Sequence, residues 1–182
     1  MRRCTAACAF LLTVLLLPGC SSAAKKTPLY LYAVGIDADD ETVYLSALCC
    51  EGTSQGNTGE DGSGEGTGTK EGHTLMRYHF GGQSTEEAFE TMRDTCKELY
   101  AGTLAVYVVA ESLPRERLYE LGVYLLNAPS LPLGAAACEA KDADEQLAYF
   151  EAAYTDKEVA EALDGRGENV IAYLARRCAD ED

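Results

Sequence analysis

The feature that most constrains the fold is an uninterrupted apolar segment, LAVYVVA, at residues 104 to 110. A strand with one face in water alternates apolar and polar side chains, whereas a strand covered on both faces is apolar throughout. The segment therefore predicts the central strand of a sheet that is buried on both faces.

Four other segments have the composition of strands. Residues 29 to 36 and 42 to 50 are rich in aromatic and branched side chains and are separated by an acidic turn at residues 37 to 40. This pattern predicts a hairpin. Residues 74 to 80 predict a third strand, and residues 133 to 139 predict a short strand that follows the central one.

Amphipathic helices alternate with these strands. Ser84 to Glu87 form a capping box, in which the Ser84 oxygen accepts the amide of the third helical residue and Glu87 reaches back. The apolar spacing behind it predicts a helix up to Gly102, with an inner stripe of Phe89, Met92, Cys96, Leu99 and Tyr100. A second helix is predicted from about Ser112 to Asn127, with an inner face of Leu118, Leu121, Gly122, Leu125 and Leu126.

The rest of the chain continues this alternation. Cap-like sequences at residues 142 to 145 and 155 to 158 predict two more helices, and residues 169 to 178 form a last amphipathic segment. The hairpin must be antiparallel, while strand-helix-strand crossovers favour parallel neighbours. We therefore predict a single compact α/β domain over residues 29 to 182, in which helices pack against a mixed β-sheet.

One internal segment departs from this pattern. Residues 51 to 72 contain eight glycines among 22 residues and no large apolar side chain. Such a composition buries too little surface to offset its ordering entropy, which predicts a disordered Gly-rich loop. The segment lacks the spacing of a phosphate-binding loop, and its acidic residues would repel phosphate.

The N-terminus has the pattern of a processing signal. Two arginines precede about nine apolar residues, a length that suits a signal peptide and is shorter than the roughly 20 residues that cross a bilayer. The sequence Leu17-Pro18-Gly19-Cys20 resembles the bacterial lipobox. We expect residues 1 to 19 to be a lipoprotein signal peptide, Cys20 to be the lipid attachment site, and residues 20 to 28 to be a lipidated tether. The alternatives are an ordinary signal peptide and a buried N-terminal helix with an incidental cysteine.

The charge of the chain limits its partners. The formal net charge is −15, and removal of residues 1 to 19, which contain two arginines and no acid, would make it −17. Nucleic acid and anionic lipid surfaces are also negative, so neither is an expected partner. A lipid anchor would be needed to hold so acidic a domain on the outer face of a membrane.

The cysteines do not form a recognisable framework. Without the signal peptide and Cys20, five remain, and no C-x-x-C pair occurs among them: Cys49, Cys50, Cys96, Cys138 and Cys178. One disulfide bridge is conceivable, but a zinc ribbon or a thioredoxin-type redox site has no support. We interpret most of these thiols as small buried apolar residues.

No catalytic constellation stands out, and we predict that the chain is not an enzyme and has no cofactor. The two histidines, His73 and His79, are six residues apart, so both would lie on one face of a strand. A metal site shared with Cys49 or Cys50 is conceivable, but a strand-edge histidine beside a loop is the simpler interpretation, and no metal is predicted. Asp37, Asp39 and Glu41 have partial calcium-loop spacing without the required glycine and final glutamate, which favours a solvated turn.

Five motifs follow the lipobox in order: Ala33-Val34-Gly35-Ile36-Asp37, Gly82-Gln83-Ser84 with Glu87-Ala88, Glu98-Leu99-Tyr100-Ala101-Gly102-Thr103-Leu104, Glu111-Ser112-Leu113, and Asn127-Ala128-Pro129-Ser130-Leu131-Pro132-Leu133. In this order, and preceded by the lipobox, they resemble the N-terminal domain of the Ger(x)C spore-germination lipoproteins. The resemblance covers roughly residues 29 to 140.

The resemblance implies a function and a location. Such proteins are lipid-anchored C subunits of nutrient germinant receptors, which act with two membrane-embedded subunits at the inner membrane of the spore and are not known as enzymes. It implies an α/β fold and a relative that lacks the family's larger C-terminal region. The alternative is a small-ligand-binding surface lipoprotein associated with a transporter.

Overall fold

The computed structural model describes residues 28–52, 73–96, 98–163 and 167–179. Its strands form one seven-stranded sheet. They are β1 Leu29–Ala38, β2 Val43–Glu51, β3 Leu75–Gly82, β4 Leu99–Tyr100, β5 Val106–Ala110, β6 Ala136–Ala140 and β7 Glu168–Asn169. The helices are α1 Thr85–Thr95, α2 Arg115–Asn127, α3 Ala143–Ala153, α4 Asp156–Leu163 and α5 Val170–Ala179, and a 3-10 turn spans Ala101–Thr103.

The sheet is mixed, as predicted. Its strand order is β3-β2-β1-β5-β6-β7, and β4 pairs with the start of β1 outside this path. The β1–β2 and β2–β3 pairs are antiparallel, which confirms the hairpin, whereas β5 is parallel to both β1 and β6. All five residues of β5 are buried, which confirms the prediction of a central strand covered on both faces.

Helices cover the two faces of the sheet. On one face, α1, α2 and α5 contribute Phe89, Leu121 and Tyr173 to the larger hydrophobic cluster. On the other, α3 and α4 contribute Leu147 and Val159 to a second cluster. The side chains of β5 divide between the two clusters, as period-2 alternation requires. The chain is therefore a single compact three-layer α/β domain.

The first helix is shorter than the apolar spacing predicts. Helix α1 ends at Thr95, and Leu99 and Tyr100 form β4, which runs parallel to Leu29 and Tyr30 of β1. Pairing with β1 satisfies backbone groups that a longer helix would have satisfied internally. The capping box also differs in detail, because the Glu87 carboxylate accepts the amide of Gln83, at 2.7 Å, and not that of Ser84.

The start of the predicted Gly-rich loop belongs to the sheet. Glu51 is the last residue of β2 and pairs with Leu29, and the Gly52 amide donates to the Pro28 carbonyl at 2.8 Å. The remainder of that predicted loop, residues 53 to 72, lies outside the described residues.

A buried tyrosine offers a test of the core. The Tyr107 hydroxyl is buried in the larger cluster and has no hydrogen-bond partner among the described residues. A buried hydroxyl that has lost its water contacts destabilises the fold, so Tyr107→Phe should raise the free energy of unfolding by about 1 kcal/mol. Urea denaturation measures the change, with the exposed Tyr119→Phe as the matched control. A lower free energy of unfolding in Tyr107→Phe than in the unchanged protein would mean that the hydroxyl is hydrogen-bonded after all.

Candidate functional site

The two histidines do not share a site. His79 lies on β3, where its Nδ1 is 3.2 Å from the Ser46 hydroxyl and 3.3 Å from the Asp144 carboxylate. His73 precedes β3 and lies beside Asp156, the first residue of α4. The prediction that both lie on one strand face is therefore wrong, because the strand begins only at Leu75.

One histidine does approach a cysteine, with a partner that the sequence did not suggest. Potential ligand atoms of Cys50, His73 and Asp156 all lie within 4.8 Å of one another. Burial, followed by the nearby Asp156 carboxylate, raises the pKa of the Cys50 thiol to about 11. Burial also opposes ionisation of Asp156, but hydrogen bonds from His73 outweigh it and lower the pKa of this carboxyl group.

The acidic turn with calcium-like spacing is a hairpin turn. The Asp39 carboxylate accepts the amides of Glu41 and Thr42 at 2.9 and 2.7 Å, and the Tyr44 hydroxyl at 2.8 Å. These hydrogen bonds, the Glu41 amide foremost, lower the pKa of Asp39. The Asp39 carboxylate therefore accepts hydrogen bonds within the turn, as the solvated-turn interpretation predicts.

The five cysteines within the described residues are free thiols. Cys49, Cys50 and Cys96 are buried, whereas Cys138 and Cys178 are half-buried, so the interpretation as buried apolar residues holds for three of the five. Burial raises the pKa of Cys49 to about 12. A neutral buried thiol is a poor nucleophile, and this one packs in the larger cluster.

Three of the six large apolar residues that are exposed in the described part of the chain form a ridge on α2. We use the name apolar ridge for Tyr119, Val123 and Leu126, whose side chains are 68%, 43% and 63% exposed. Spacings of four and three residues place them in one line along the helix. The opposite side of α2 carries the fully buried Leu118 and Leu121, so the helix has an apolar stripe on each side.

A groove runs along each side of the apolar ridge. The groove between α2 and α5 has a volume of about 310 Å³, and its lining includes Gly122, Ile171, Ala175 and Cys178. The absence of a side chain at Gly122 leaves space there, since the nearest atom to a Cβ at this position would be 3.8 Å away. A second groove of about 420 Å³ separates the ridge from the start of α1.

Polar contacts hold α5, the outer wall of the first groove, against the sheet. Arg177 contacts the Glu139 carboxylate of β6 and donates to the Tyr173 hydroxyl, which in turn donates to Glu139 at 3.1 Å. The hydrogen bond from Arg177 lowers the pKa of Glu139. The groove therefore has two walls that are fixed by the core of the domain.

The chemistry of this surface suits binding. Tyr119 and Cys178 are the titratable residues that line the groove between α2 and α5, and they provide no pairing of a nucleophile with a general base. Exposed tyrosine, valine and leucine side chains beside a preformed groove are typical of a protein contact surface.

The inner face predicted for α2 includes Leu126, and this prediction conceals the apolar ridge. The structure corrects this, since the buried stripe contains Leu118, Leu121 and Leu125 while Leu126 points into solvent. The signal was present in the sequence: Tyr119, Val123 and Leu126 repeat at helical spacing as a second apolar stripe.

Comparison of the chain with protein-family models, with curated proteins and with solved structures found no match. The resemblance to the Ger(x)C lipoproteins therefore stays a prediction. No helix within the described residues is long and apolar enough to cross a membrane. The predicted signal peptide, Cys20 and most of the tether, residues 1 to 27, lie outside the described residues.

Proposed function

We propose that this protein is a non-catalytic lipoprotein, anchored through Cys20 on the outer face of the cell or spore inner membrane, which acts like the C subunit of a nutrient germinant receptor. In this proposal the apolar ridge docks onto a membrane-embedded receptor subunit. The observation that carries it is the apolar ridge itself, because exposed apolar side chains beside fixed grooves favour a protein partner.

The position of the ridge is compatible with a short anchor. The described chain begins at Pro28, beside the start of β1 and the end of β2. Strand β4 pairs with this same end of β1. Its Tyr100 lines a groove together with Ser130 and Leu131, which follow the C-terminal end of α2. Residues 20 to 27 can extend over at most about 29 Å, given about 3.6 Å per residue. The anchor would therefore hold near the membrane the end of the sheet that lies beside the residues following α2.

Charge supports a division of roles between anchor and ridge. With a net charge of −17 after removal of residues 1 to 19, the domain would be repelled by anionic lipid. The lipid at Cys20 would supply membrane attachment, since each buried methylene contributes about 0.8 kcal/mol. The ridge would then determine which protein partner is bound, because a lipid anchor does not distinguish between protein partners.

The docking proposal predicts that polar substitutions on the ridge abolish partner capture. In Tyr119→Ser with Leu126→Ser, both changed side chains are exposed, so the fold should keep its stability within about 0.5 kcal/mol. Capture of the proposed membrane-embedded receptor subunits from detergent extracts of sporulating cells should fall by at least about tenfold, as expected for loss of exposed anchor residues.

The matched control is Tyr149→Ser, which changes a tyrosine of similar exposure, 59%, on α3 at the opposite face of the sheet. This variant should capture the subunits as the unchanged protein does. Undiminished capture by the ridge variant would refute the docking surface. Unchanged germination with every nutrient tested after deletion of the gene would refute the receptor role, and neighbouring genes for an ATP-driven importer would favour the transporter alternative.

A further inference from the structure

Three side chains of different chemistry converge at the end of the sheet where the described chain begins. Cys50 is near the end of β2, His73 precedes β3 and Asp156 starts α4. Their potential ligand atoms, a thiol sulfur, an imidazole nitrogen and a carboxylate oxygen, all lie within 4.8 Å of one another. Because the three belong to separate elements, the fold creates the cluster and local sequence does not.

Two of the three side chains are already held in place. The His73 amide donates to Asp156 Oδ1 at 2.8 Å, and His73 Nδ1 lies 3.0 Å from Asp156 Oδ2. The Asp156 amide donates in return to the His73 carbonyl. Cys50 is buried against the second cluster, so its position is set by packing. Ligands fixed in this way lose little freedom when they bind an ion.

The surroundings leave room for an ion and for a further ligand. The three side chains line a cavity of about 420 Å³, together with Tyr30, Tyr32, Glu51, Gly52 and Thr103. The side chain of Asp156 is 12% exposed and that of His73 is 42% exposed, so the cluster opens to solvent on the histidine side. A metal could enter from that side, and a water molecule could complete its coordination.

The donor set selects among metals. Calcium and magnesium prefer oxygen ligands, whereas thiolate, imidazole and carboxylate together suit zinc, which binds them at about 2.3, 2.0 and 2.1 Å. Tetrahedral geometry at those lengths separates ligand atoms by about 3.2 to 3.7 Å. Because the ligand atoms lie within 4.8 Å of one another, the widest separation in the cluster would have to shorten by about 1.1 to 1.6 Å. Three protein ligands with one open position are the arrangement of zinc sites that also bind a small molecule.

We propose that Cys50, His73 and Asp156 bind one divalent transition-metal ion, for which Zn²⁺ is the best match, with the fourth position open to water. On binding, the Cys50 S–H bond breaks, an S–metal bond forms and the proton passes to solvent. This site lies apart from the apolar ridge and does not rest on the docking proposal. It replaces the pairing of His73 with His79 that the sequence allowed, because His79 lies instead beside Ser46 and Asp144.

The test titrates Zn²⁺ into the metal-depleted full-length protein in detergent, by calorimetry and by competition with a chromogenic chelator. One ion should bind per chain with micromolar or tighter affinity, and the melting temperature should rise because zinc binds only the folded cluster. Cys50→Ala should weaken affinity at least about 100-fold, and Asp156→Asn about 10-fold or more. Cobalt should give a thiolate charge-transfer band that Cys50→Ala lacks.

The matched control is Cys49→Ala, which removes the adjacent thiol from the larger cluster on the opposite face of the sheet. It should bind zinc as the unchanged protein does, and so should the ridge variant Tyr119→Ser with Leu126→Ser. If Cys50→Ala does not fold, His73→Ala decides the question, since His73 is partly exposed. Absence of stoichiometric zinc binding, or equal affinity in a folded Cys50→Ala or His73→Ala variant, would overturn the proposal.

Discussion

Replacement of Cys20 by alanine is expected to move the protein almost completely from the membrane fraction to the soluble fraction. In the proposal, acyl chains on Cys20 provide the attachment, and the strongly acidic domain has no electrostatic attraction to anionic lipid. Fractionation with immunoblotting measures the distribution, and labelled palmitate measures lipidation of the same samples. Both the membrane-bound fraction and the label should be lost.

Cys8→Ala is the matched control for this experiment. Cys8 lies in the predicted signal peptide, so its replacement should leave both lipidation and membrane attachment unchanged. Retained label in Cys20→Ala would place the lipid on another residue. Membrane retention without label would show that a different contact holds the protein there, and the anchor proposal would then be wrong.

A second large effect is expected in the core of the domain, where Leu121→Ala should lower the free energy of unfolding by about 2 to 5 kcal/mol. Leu121 is fully buried in the larger hydrophobic cluster, and its truncation removes apolar contacts and leaves a cavity. Because a domain of this size is stabilised by only about 5 to 15 kcal/mol, the loss should be evident in urea denaturation followed by circular dichroism.

The matched control is Leu126→Ala on the same helix. This residue is 63% exposed, so the same truncation should change the free energy of unfolding by no more than about 0.5 kcal/mol. Equal losses in the two variants would mean that Leu126 is buried, and the apolar ridge would then not exist as a free surface. Equal losses would agree with the sequence-based prediction that both leucines lie on the inner face.

Local patterns were sufficient for most of the elements. The apolar run around Val108 identified the central strand, because a strand that is covered on both faces has no position at which a polar side chain would reach water. Ser84 marked the start of α1 because its side chain accepts the Glu87 amide at 3.2 Å, a bond between residues three apart. Asp142 caps α3 in the same way. Such signals act within a few residues, so the sequence contains them in full.

Patterns failed where a distant contact competed with a local one. The apolar spacing that continues through Leu99 and Tyr100 would extend α1, but β1 offers these residues strand pairing. Leu126 satisfies the inner spacing of α2, yet it is 63% exposed, whereas Leu121 on the same helix is fully buried. Which of two apolar stripes becomes buried depends on the neighbouring layer, and periodicity does not contain that information.

By itself, the sequence determined the class of the fold, the hairpin, the central strand and the start of α1. Each of these follows from the pattern of side chains within a short segment of the chain. Only the tertiary structure decided which face of α2 remains open and which residue joins His73. Cys50, His73 and Asp156 are brought together by the pairing of β2 with β3 and by the start of α4 beside them. Asp156 is 83 residues from its histidine partner, and no local pattern links positions so far apart.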